Sequence, residues 1–357
     1  MIYYTDYLQL DKLLDAQACE SAKKNVPVHD EMLFIIIHQA YELWFKQIIH
    51  ELDSVLQIFQ EPDLSDVKIS LIVSRSKRIS RILHLLVEQI RILETMTPMD
   101  FLEFRDLLIP ASGFQSVQFR IIETKLGIKR MLGYAFFGRL SARDQQRFMA
   151  LKNSPSLLQL AEQWLARFPL LETAEFSFSQ FLKEAVGQSL TRDEEIIQQN
   201  RLLSEEEKAA QLRQLESAKT HFQAILDPNL YEALVKQGKK RISFAATRTA
   251  LFIFLYRDQP LFQQPYELLS TLITIDELLL DWRYRHILLV RRMIGSKIGT
   301  GGSAGADYLK KSADSGKIFD DIANLSSFLL PRSALLPLPD SFQKQLGLAY
   351  RQREEIK

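Results

Sequence analysis

The chain of 357 residues is long enough for one large domain or two ordinary ones, and its 46% hydrophobic and 25% charged residues are typical of globular proteins. A formal charge of +1 gives no electrostatic signal for nucleic acid or for an anionic membrane. No apolar run reaches the length of a membrane span, and the acidic N-terminal stretch MIYYTDYLQLDK lacks the pattern of a secretory signal. Cys19 is the only cysteine, which excludes internal disulfides and cysteine metal clusters and favours a cytoplasmic location.

Helical periodicity dominates the sequence and strand-like alternation is rare, so we predict an all-α fold with a single helical domain over residues 1–357. Residues 1–22 form an N-terminal arm in which a short helix carries leucines and the first seven residues carry three tyrosines. Exposed aromatic residues on a terminus favour docking onto a neighbouring subunit. Packing of the same tyrosines onto their own domain is about equally compatible with the pattern.

The first long helix is predicted from Glu31 to Phe59, with Asp30 as its N-cap. Its early part is apolar on most sides and should be buried in the domain. His38 falls in this part, with Phe34 one turn before it. Two interpretations compete: a core histidine whose hydrogen bonds are satisfied locally, or a histidine that faces a cofactor or substrate cavity.

A second long helix is predicted over about residues 65–96, and the Thr97-Pro98 pair should end it. If residues 100–108 are helical, Phe101, Arg105 and Leu108 share one face. A buried arginine is costly without a partner, so Arg105 either pairs with a carboxylate of the protein or binds an anionic ligand. Ser112, after a turn, is the predicted N-cap of the next helix.

Residues from about 126 to 238 are polar, charge-rich and helical in pattern, with only narrow apolar stripes. We interpret them as a peripheral helical excursion and not as a second catalytic unit. Buried helices resume in the stretch KKRISFAATRTALFIFLYRD and in the long stretch that begins PYELL and ends at Gly295. A closing helix then ends at Pro331.

His286 lies near the end of that long helix, among four arginines at positions 283, 285, 291 and 292. A neutral imidazole on a helix can bind a metal, and haem iron is commonly held by one proximal histidine. Guanidinium groups one turn away are suited to pairing with carboxylates, which a haem carries as two propionates. A histidine with arginine neighbours is also common at a surface or an interface, so the motif alone leaves both possibilities open.

A glycine-rich segment, GTGGSAG at residues 299–305, follows this helix and contains Thr300. It partly matches the G-x-G-x-x-A dinucleotide fingerprint, but that fingerprint must follow a strand and open a helix. This segment follows a long helix with no βαβ pattern around it, so a nucleotide site is rejected. Its four glycines would allow the chain to double back toward a ligand bound near His286.

Four blocks of the chain together resemble the tryptophan 2,3-dioxygenase family. They are HQAYELWFKQIIHELDSV, FRDLLIPASGFQS, WRYRH and GTGGSAG, in the order of the family, and YYTDYLQLD at the N-terminus matches as well. The resemblance covers most of the chain outside the charged excursion. One such block would be a weak signal, whereas four in one order are a strong one.

By position, the resemblance implies that His286 is the proximal ligand of a haem b, bound once per subunit. His38 would be the distal histidine that hydrogen-bonds the indole N–H of L-tryptophan. Arg105 would bind the substrate carboxylate and Thr300 the amino-acid end of the substrate. The remaining implied substrate-binding residues are Phe34, Phe101 and Leu108 around the indole, Ser112 nearby, and Tyr4 and Tyr7 inserted from a neighbouring subunit of a homotetramer.

The implied reaction inserts both atoms of O₂ across the indole C2–C3 bond and gives N-formyl-L-kynurenine. The residue pattern agrees, since a zwitterionic amino acid in a dry pocket would supply the partner that a buried arginine needs. The alternatives are a relative that acts on a substituted tryptophan or that transfers one oxygen atom, a haem- or tryptophan-sensing protein without turnover, and a purely structural helical protein.

Overall fold

The computed structural model describes residues 1–128, 141–152, 154–168, 172–173, 175–295, 297 and 316–339. These residues form helices, turns and loops without a β-strand, and the extended pairing among them is one isolated bridge between Glu172 and Ser177. The prediction of an all-α fold is therefore confirmed. None of the described helices has the length and apolar character needed to cross a membrane.

The α-helices are labelled in chain order. They are α1 (Tyr4–Leu8), α2 (Leu10–Leu14), α3 (Glu20–Lys23), α4 (His29–Phe59), α5 (Asp66–Leu93), α6 (Pro98–Arg105), α7 (Val117–Leu126), α8 (Ala142–Lys152), α9 (Leu157–Ala166), α10 (Phe178–Gln199), α11 (Glu205–Leu226), α12 (Pro228–Lys236), α13 (Phe244–Leu255), α14 (Pro260–Ile294) and α15 (Asp320–Ala323). Short 3₁₀ helices lie at Asp106–Leu108, Gly113–Gln115, Asn324–Phe328 and Arg332–Ala334.

The chain divides into two compact units. The first comprises Met1–Ile58, Ser74–Leu157 and Thr274–Ile318, and the second comprises Phe59–Val73, Leu158–Ile273 and Phe319–Lys357. The predicted site residues that the structure describes all belong to the first unit. The expectation of one domain over residues 1–357, with a peripheral excursion at about 126–238, stays a prediction.

Helix α4 begins two residues earlier than predicted, so Asp30 lies in its first turn and is not its N-cap. The next residue, Glu31, is fully buried and accepts hydrogen bonds from the backbone N–H groups of Glu20 (2.7 Å) and Ser21 (3.0 Å). A buried carboxylate needs such partners. Glu31 thereby anchors the start of α3 to the helix that carries His38.

Helix α6 begins where the Thr97-Pro98 pair predicted a break. The Thr97 side chain accepts from the Asp100 N–H and the Asp100 carboxylate accepts from the Thr97 N–H, which forms a capping box. The α-helical turns end at Arg105, and a 3₁₀ turn continues the chain to Leu108. Arg105 is therefore held at the C-terminal end of a short, well-capped helix.

Ser112 does not cap α7, contrary to the prediction. The chain makes a 3₁₀ turn at Gly113–Gln115 first, so the capping position falls four residues later. The Ser116 side chain accepts a hydrogen bond from the Phe119 N–H at 3.2 Å and is the N-cap of α7. Ser112 and Ser116 both precede an apolar run in the sequence. The 3₁₀ turn between them determines that Ser116 is the N-cap.

A buried apolar cluster in the first unit joins the ends of α5, α6 and α14. It consists of Ile90, Met96, Phe104, Leu289 and Met293, and it packs against partly buried aromatic residues that include Phe34, Tyr41, Phe101 and Trp282. Residues one helical turn apart on α14 thus face the same core as the short helix that carries Arg105. The cluster is named here the Phe104 cluster.

Substituting Phe104 with alanine is expected to lower the free energy of unfolding by about 3–5 kcal/mol, because Phe104 has no exposed surface and its loss leaves a cavity. Urea unfolding followed by circular dichroism measures the change. The matched control is Met99→Ala on the same helix, where the side chain is exposed and the expected change is within about 0.5 kcal/mol. Equal effects of the two substitutions would contradict the assignment of Phe104 to the core.

The second unit has its own aromatic core around Phe252 of α13, which contacts Phe178, Tyr256 and Phe262. Arg248, one turn earlier, pairs with Glu172 at 3.0 Å and lies over the ring of Phe178. Ser204 and Glu207 form a capping box at the start of α11. These contacts stabilise the aromatic core of this unit and the start of α11.

Candidate active site

A cavity in the first unit is lined by residues of α4, α6, α7 and the end of α14. Its volume is about 260 Å³, slightly below the roughly 300–1,000 Å³ typical of ligand pockets. Its wall includes His38, Arg105 and His286, three residues that the sequence predicted as parts of one site. Segments far apart in the sequence therefore meet at one cavity.

The ring of His38 is oriented by its own helix. Its Nδ1 lies 2.7 Å from the carbonyl oxygen of Phe34, one turn earlier, and the two rings are 4.1 Å apart. A carbonyl oxygen only accepts, so Nδ1 carries the proton and donates it. Burial, the largest influence, lowers the pKa of His38. The neutral ring thus keeps a lone pair on Nε2, and His38 is suited to accept one hydrogen bond.

His286 lies near the C-terminal end of α14, and its ring stacks on that of Trp282 one turn earlier. The two ring centres are 5.3 Å apart and the planes differ by 12°. Burial lowers the pKa of His286 to about 4, with the charge of His38 as a smaller cause. At neutral pH His286 is an uncharged imidazole, which is the form that binds a metal ion.

Trp282 is itself packed between aromatic residues of two other helices. Phe119 of α7 lies 4.9 Å from it and Tyr41 of α4 lies 6.1 Å from it, measured between ring centres. The Tyr41 hydroxyl donates to the carbonyl oxygen of Leu86 at 2.6 Å, and burial raises the pKa of Tyr41 to about 12. These contacts fix the face of α14 from which His286 projects.

Arg105 contributes a mostly buried guanidinium to the cavity wall, with 13% of its side chain exposed. Its Nη1 lies 3.0 Å from the carboxylate of Asp106, whose side chain is 80% exposed. An ion pair with so exposed a carboxylate contributes little energy. Arg105 therefore pairs with a carboxylate of the chain, as one interpretation expected. It also lines a cavity that an anionic ligand could enter, so the other interpretation stays open.

Of the four arginines near His286, only Arg283 lines the cavity. Arg285 pairs with Asp281 at 3.1 Å, and Arg291 and Arg292 are exposed. Arg283 is buried and donates to the carboxylate of Glu123 on α7 at 2.9 Å. The four arginines of the motif therefore differ in position: Arg283 is part of the cavity wall, and the other three are not among the residues that line it.

The other predicted site residues divide into three groups. Phe34, Phe101 and Ser112 line the cavity, and Leu108 packs beside it against the Phe104 cluster. Tyr4 and Tyr7 lie on α1 with 73% and 74% of their surface exposed. Thr300 and the glycine segment 299–305 lie outside the described residues.

The structure adds cavity residues that the sequence did not single out. The polar ones are Glu42, Ser116 and Arg120, and the aromatic ones are Phe45, Phe119 and Trp282. Helical spacing could have found two of them, because Glu42 follows His38 by four residues and Trp282 precedes His286 by four. The α7 residues had no such signal, since their helix carries no predicted ligand.

Comparison with known proteins identifies the family to which the chain belongs. The profile of the family described as tryptophan 2,3-dioxygenase matches residues 1–329. The chain belongs to the tryptophan 2,3-dioxygenase family. The protein named tryptophan 2,3-dioxygenase from Alteromonas mediterranea is 45% identical to it over 97% of this chain and 97% of its own. The protein of the same name from Bdellovibrio bacteriovorus is 45% identical over 98% of this chain and 99% of its own. The protein of that name from Dictyostelium discoideum is 46% identical over 98% of this chain and 89% of its own.

As a tryptophan 2,3-dioxygenase, the chain is an enzyme that oxidises tryptophan with O₂, the first step of the kynurenine pathway. Tryptophan 2,3-dioxygenases are haem enzymes, and the cavity suits a haem. It offers a half-buried neutral imidazole for the iron, aromatic and aliphatic walls for the porphyrin, and arginine side chains for its carboxylates. This donor set fits an iron porphyrin.

Proposed function

We propose that this chain binds one haem b per subunit through His286 and inserts both atoms of O₂ across the indole C2–C3 bond of L-tryptophan, giving N-formyl-L-kynurenine. The observation that carries the proposal is the common cavity of His38, Arg105 and His286. The haem supplies the iron chemistry that activates O₂. The protein's part is to bind the amino acid, orient its indole and exclude water.

We assign the binding of L-tryptophan to the guanidinium of Arg105 and to an apolar surface formed by aromatic side chains. Arg105 presents the planar donor pair that a carboxylate matches. Phe34 and Phe101, with ring centres 5.7 Å apart, would form one side of the indole site. Leu108 and Ser112 would complete it, and Thr300 would contact the amino-acid end. The short α6 helix supports this arrangement because it carries both Phe101 and Arg105 on one side.

His38 is assigned as the acceptor for the indole N–H. Its Nδ1–H donates to the Phe34 carbonyl oxygen, so Nε2 is the ring nitrogen that would accept from the indole N–H. A lowered pKa keeps the ring neutral, and a neutral acceptor orients an N–H without removing its proton. His38 would therefore position the indole, and the reaction does not require it as a base.

The quaternary assignment is a homotetramer in the cytoplasm, with the arm of residues 1–22 docked on a neighbouring subunit. The exposure of Tyr4 and Tyr7 on α1 supports a partner for this arm, since large apolar side chains are seldom left in water as a group. Sedimentation equilibrium tests the assembly. Removing residues 1–22 should lower tryptophan affinity if Tyr4 and Tyr7 enter a neighbouring active site.

The function is tested by O₂ uptake and product mass with L-tryptophan and the reduced protein. We expect stoichiometric uptake and a product heavier than tryptophan by two oxygen atoms. A gain of one oxygen atom would indicate a monooxygenase, and preference for a ring-substituted tryptophan would indicate a specialised relative. A red protein whose absorbance responds to tryptophan without O₂ uptake would be a sensor, and a colourless one would contradict the haem assignment.

Substituting His38 with alanine is expected to lower kcat/KM for L-tryptophan about tenfold without abolishing turnover, because one hydrogen bond to a buried acceptor is lost. Steady-state O₂ uptake measures the effect. As a substrate control, 1-methyltryptophan has no indole N–H to donate. If His38 acts as proposed, the substitution affects 1-methyltryptophan less than tryptophan, and complete loss with tryptophan would instead make His38 an obligatory base.

A further inference from the structure

Helix α3 is a single turn, and a helix so short needs support from the rest of the fold. Its N-cap residue, Cys19, makes no side-chain hydrogen bond to the first N–H groups of the helix. The carboxylate of Glu31, on α4, accepts from them instead: one oxygen lies 2.7 Å from the backbone nitrogen of Glu20, and the other lies 3.0 Å from that of Ser21. Glu31 has no exposed surface, so water does not compete for these bonds. The start of α3 is therefore capped by a buried side chain from another helix.

The chain that leaves α3 is fixed to the Phe104 cluster. The buried hydroxyl of Ser21 accepts from the Val28 N–H at 3.0 Å, and the Ser21 carbonyl oxygen accepts from the Val26 N–H at 3.0 Å. Val28 packs against the Phe104 cluster, and so does Leu108 at the end of the turn that follows α6. The bonds of Ser21 thus connect α3 to the same core that receives the segment after Arg105.

Helix α3 also contacts this segment directly. It lies against the 3₁₀ turn Asp106–Leu108, which begins at the residue after Arg105. Asp106 and Leu107 are exposed, so the contacts with α3 and with the Phe104 cluster support the turn. Arg105 is the last residue of α6, and any shift of the turn would move its guanidinium relative to the cavity.

We infer that Glu31 is a positioning residue for the binding of L-tryptophan, an inference that rests on the proposed assignment of the substrate carboxylate to Arg105. Glu31 is not among the residues that line the cavity, so it acts through α3 and the turn after Arg105. A bidentate pair needs its groups within roughly 0.5 Å of the productive geometry. A loosened α3 would therefore weaken the binding of the carboxylate, while the haem ligand on α14 and the aromatic walls would be unaffected.

The test compares L-tryptophan with tryptamine, which lacks the carboxylate, in the full-length protein with its haem. Glu31→Gln keeps the size of the side chain but loses the charge and one of the two acceptor oxygens. It is expected to raise KM for L-tryptophan about tenfold with kcat changed less than about twofold, and to change kcat/KM for tryptamine less than about twofold. Lys23→Gln removes only the exposed ion pair of α3 with Glu20 and is the matched control, with the wild-type KM expected.

A second comparison uses the Arg105→Ala protein. If Glu31 acts through the guanidinium of Arg105, Glu31→Gln has no further effect on KM for L-tryptophan once that guanidinium is absent. A further rise in KM in this background would overturn the inference, because Glu31 would then act on the cavity as a whole. An equal loss with tryptamine, or an unchanged KM for L-tryptophan in Glu31→Gln alone, would overturn it as well.

Two results keep this inference separate from what it rests on. If Glu31→Gln does not fold, Ser21→Ala, which removes the acceptor of the Val28 N–H, decides by the same comparisons. A wild-type protein without turnover of L-tryptophan would refute the proposed function. An Arg105→Ala protein with the wild-type KM would refute the assignment of the carboxylate to Arg105, and with it the role of Glu31.

Discussion

Replacing His286 with alanine should give a folded protein that is purified without haem. The substitution removes the one imidazole that the proposed site offers to the iron on this side of the cavity, and apolar contacts alone hold a porphyrin weakly. Absorbance in the Soret region, normalised to protein, is expected to fall at least tenfold, an effect of about 1.4 kcal/mol or more. Circular dichroism should be nearly unchanged, because the helix around position 286 gains a residue with high helix propensity.

Two controls separate loss of a ligand from loss of structure. His84→Ala removes an exposed histidine from α5 in the same unit and should retain full haem content. Addition of imidazole to the His286→Ala protein together with haem should restore the Soret absorbance, since the substitution leaves space for the free base at the same place. A His286→Ala protein that binds haem as the wild type does would show that another residue holds the iron.

The sequence predicted the long helices well because their periodicity is strong. Helix α4 was predicted from residue 31 and begins at residue 29, and α14 ends within one residue of Gly295, where the helical pattern stops. The apolar stretch around His38 and the helix that carries His286 needed no tertiary information. Boundaries set by competing caps were less predictable, as at Ser112 and Ser116, where a 3₁₀ turn moved the cap by four residues.

The candidate site was predictable where one helix carries the whole motif and unpredictable where two segments meet. Phe101 and Arg105 share a helix face, and both line the cavity as their spacing indicated. Arg283 was one of four equivalent arginines in the sequence, and only its ion pair with Glu123, 160 residues earlier, distinguishes it. No periodicity within a helix encodes a contact over that separation, so the pairing of Arg283 with Glu123 required the structure.

The three arginines of the cavity wall differ in the exposure of the carboxylates with which they pair. Arg105 is paired with an exposed carboxylate, which a substrate carboxylate can replace at small cost. Arg120 and Arg283 are paired with a buried carboxylate, and separating that pair would leave an uncompensated charge in a poorly solvated place. A ligand that exchanges at every turnover suits the first arrangement, whereas the second holds both arginines fixed in the wall.

Replacing Arg105 with alanine should chiefly weaken tryptophan binding. The loss of a charge-assisted pair in a partly buried site costs about 2–5 kcal/mol, so KM for L-tryptophan should rise by about 30-fold or more. Haem content should be unchanged, because Arg105 lies on α6 whereas His286, the residue assigned to the iron, lies on α14. Steady-state O₂ uptake over a range of tryptophan concentrations measures the change.

The sharper comparison uses tryptamine, which has the indole and the ammonium of tryptophan but no carboxylate. If Arg105 binds the carboxylate, the wild-type protein prefers tryptophan strongly, and Arg105→Ala brings the two substrates to similar kcat/KM values. Arg105→Lys should recover only part of the preference, since an ammonium lacks the planar donor pair. Arg91→Ala, at an exposed position on α5, is the matched control and should keep the wild-type preference. An unchanged KM for tryptophan in Arg105→Ala would mean that the guanidinium serves only its ion pair with Asp106, and the carboxylate site would then have to lie elsewhere on the cavity wall.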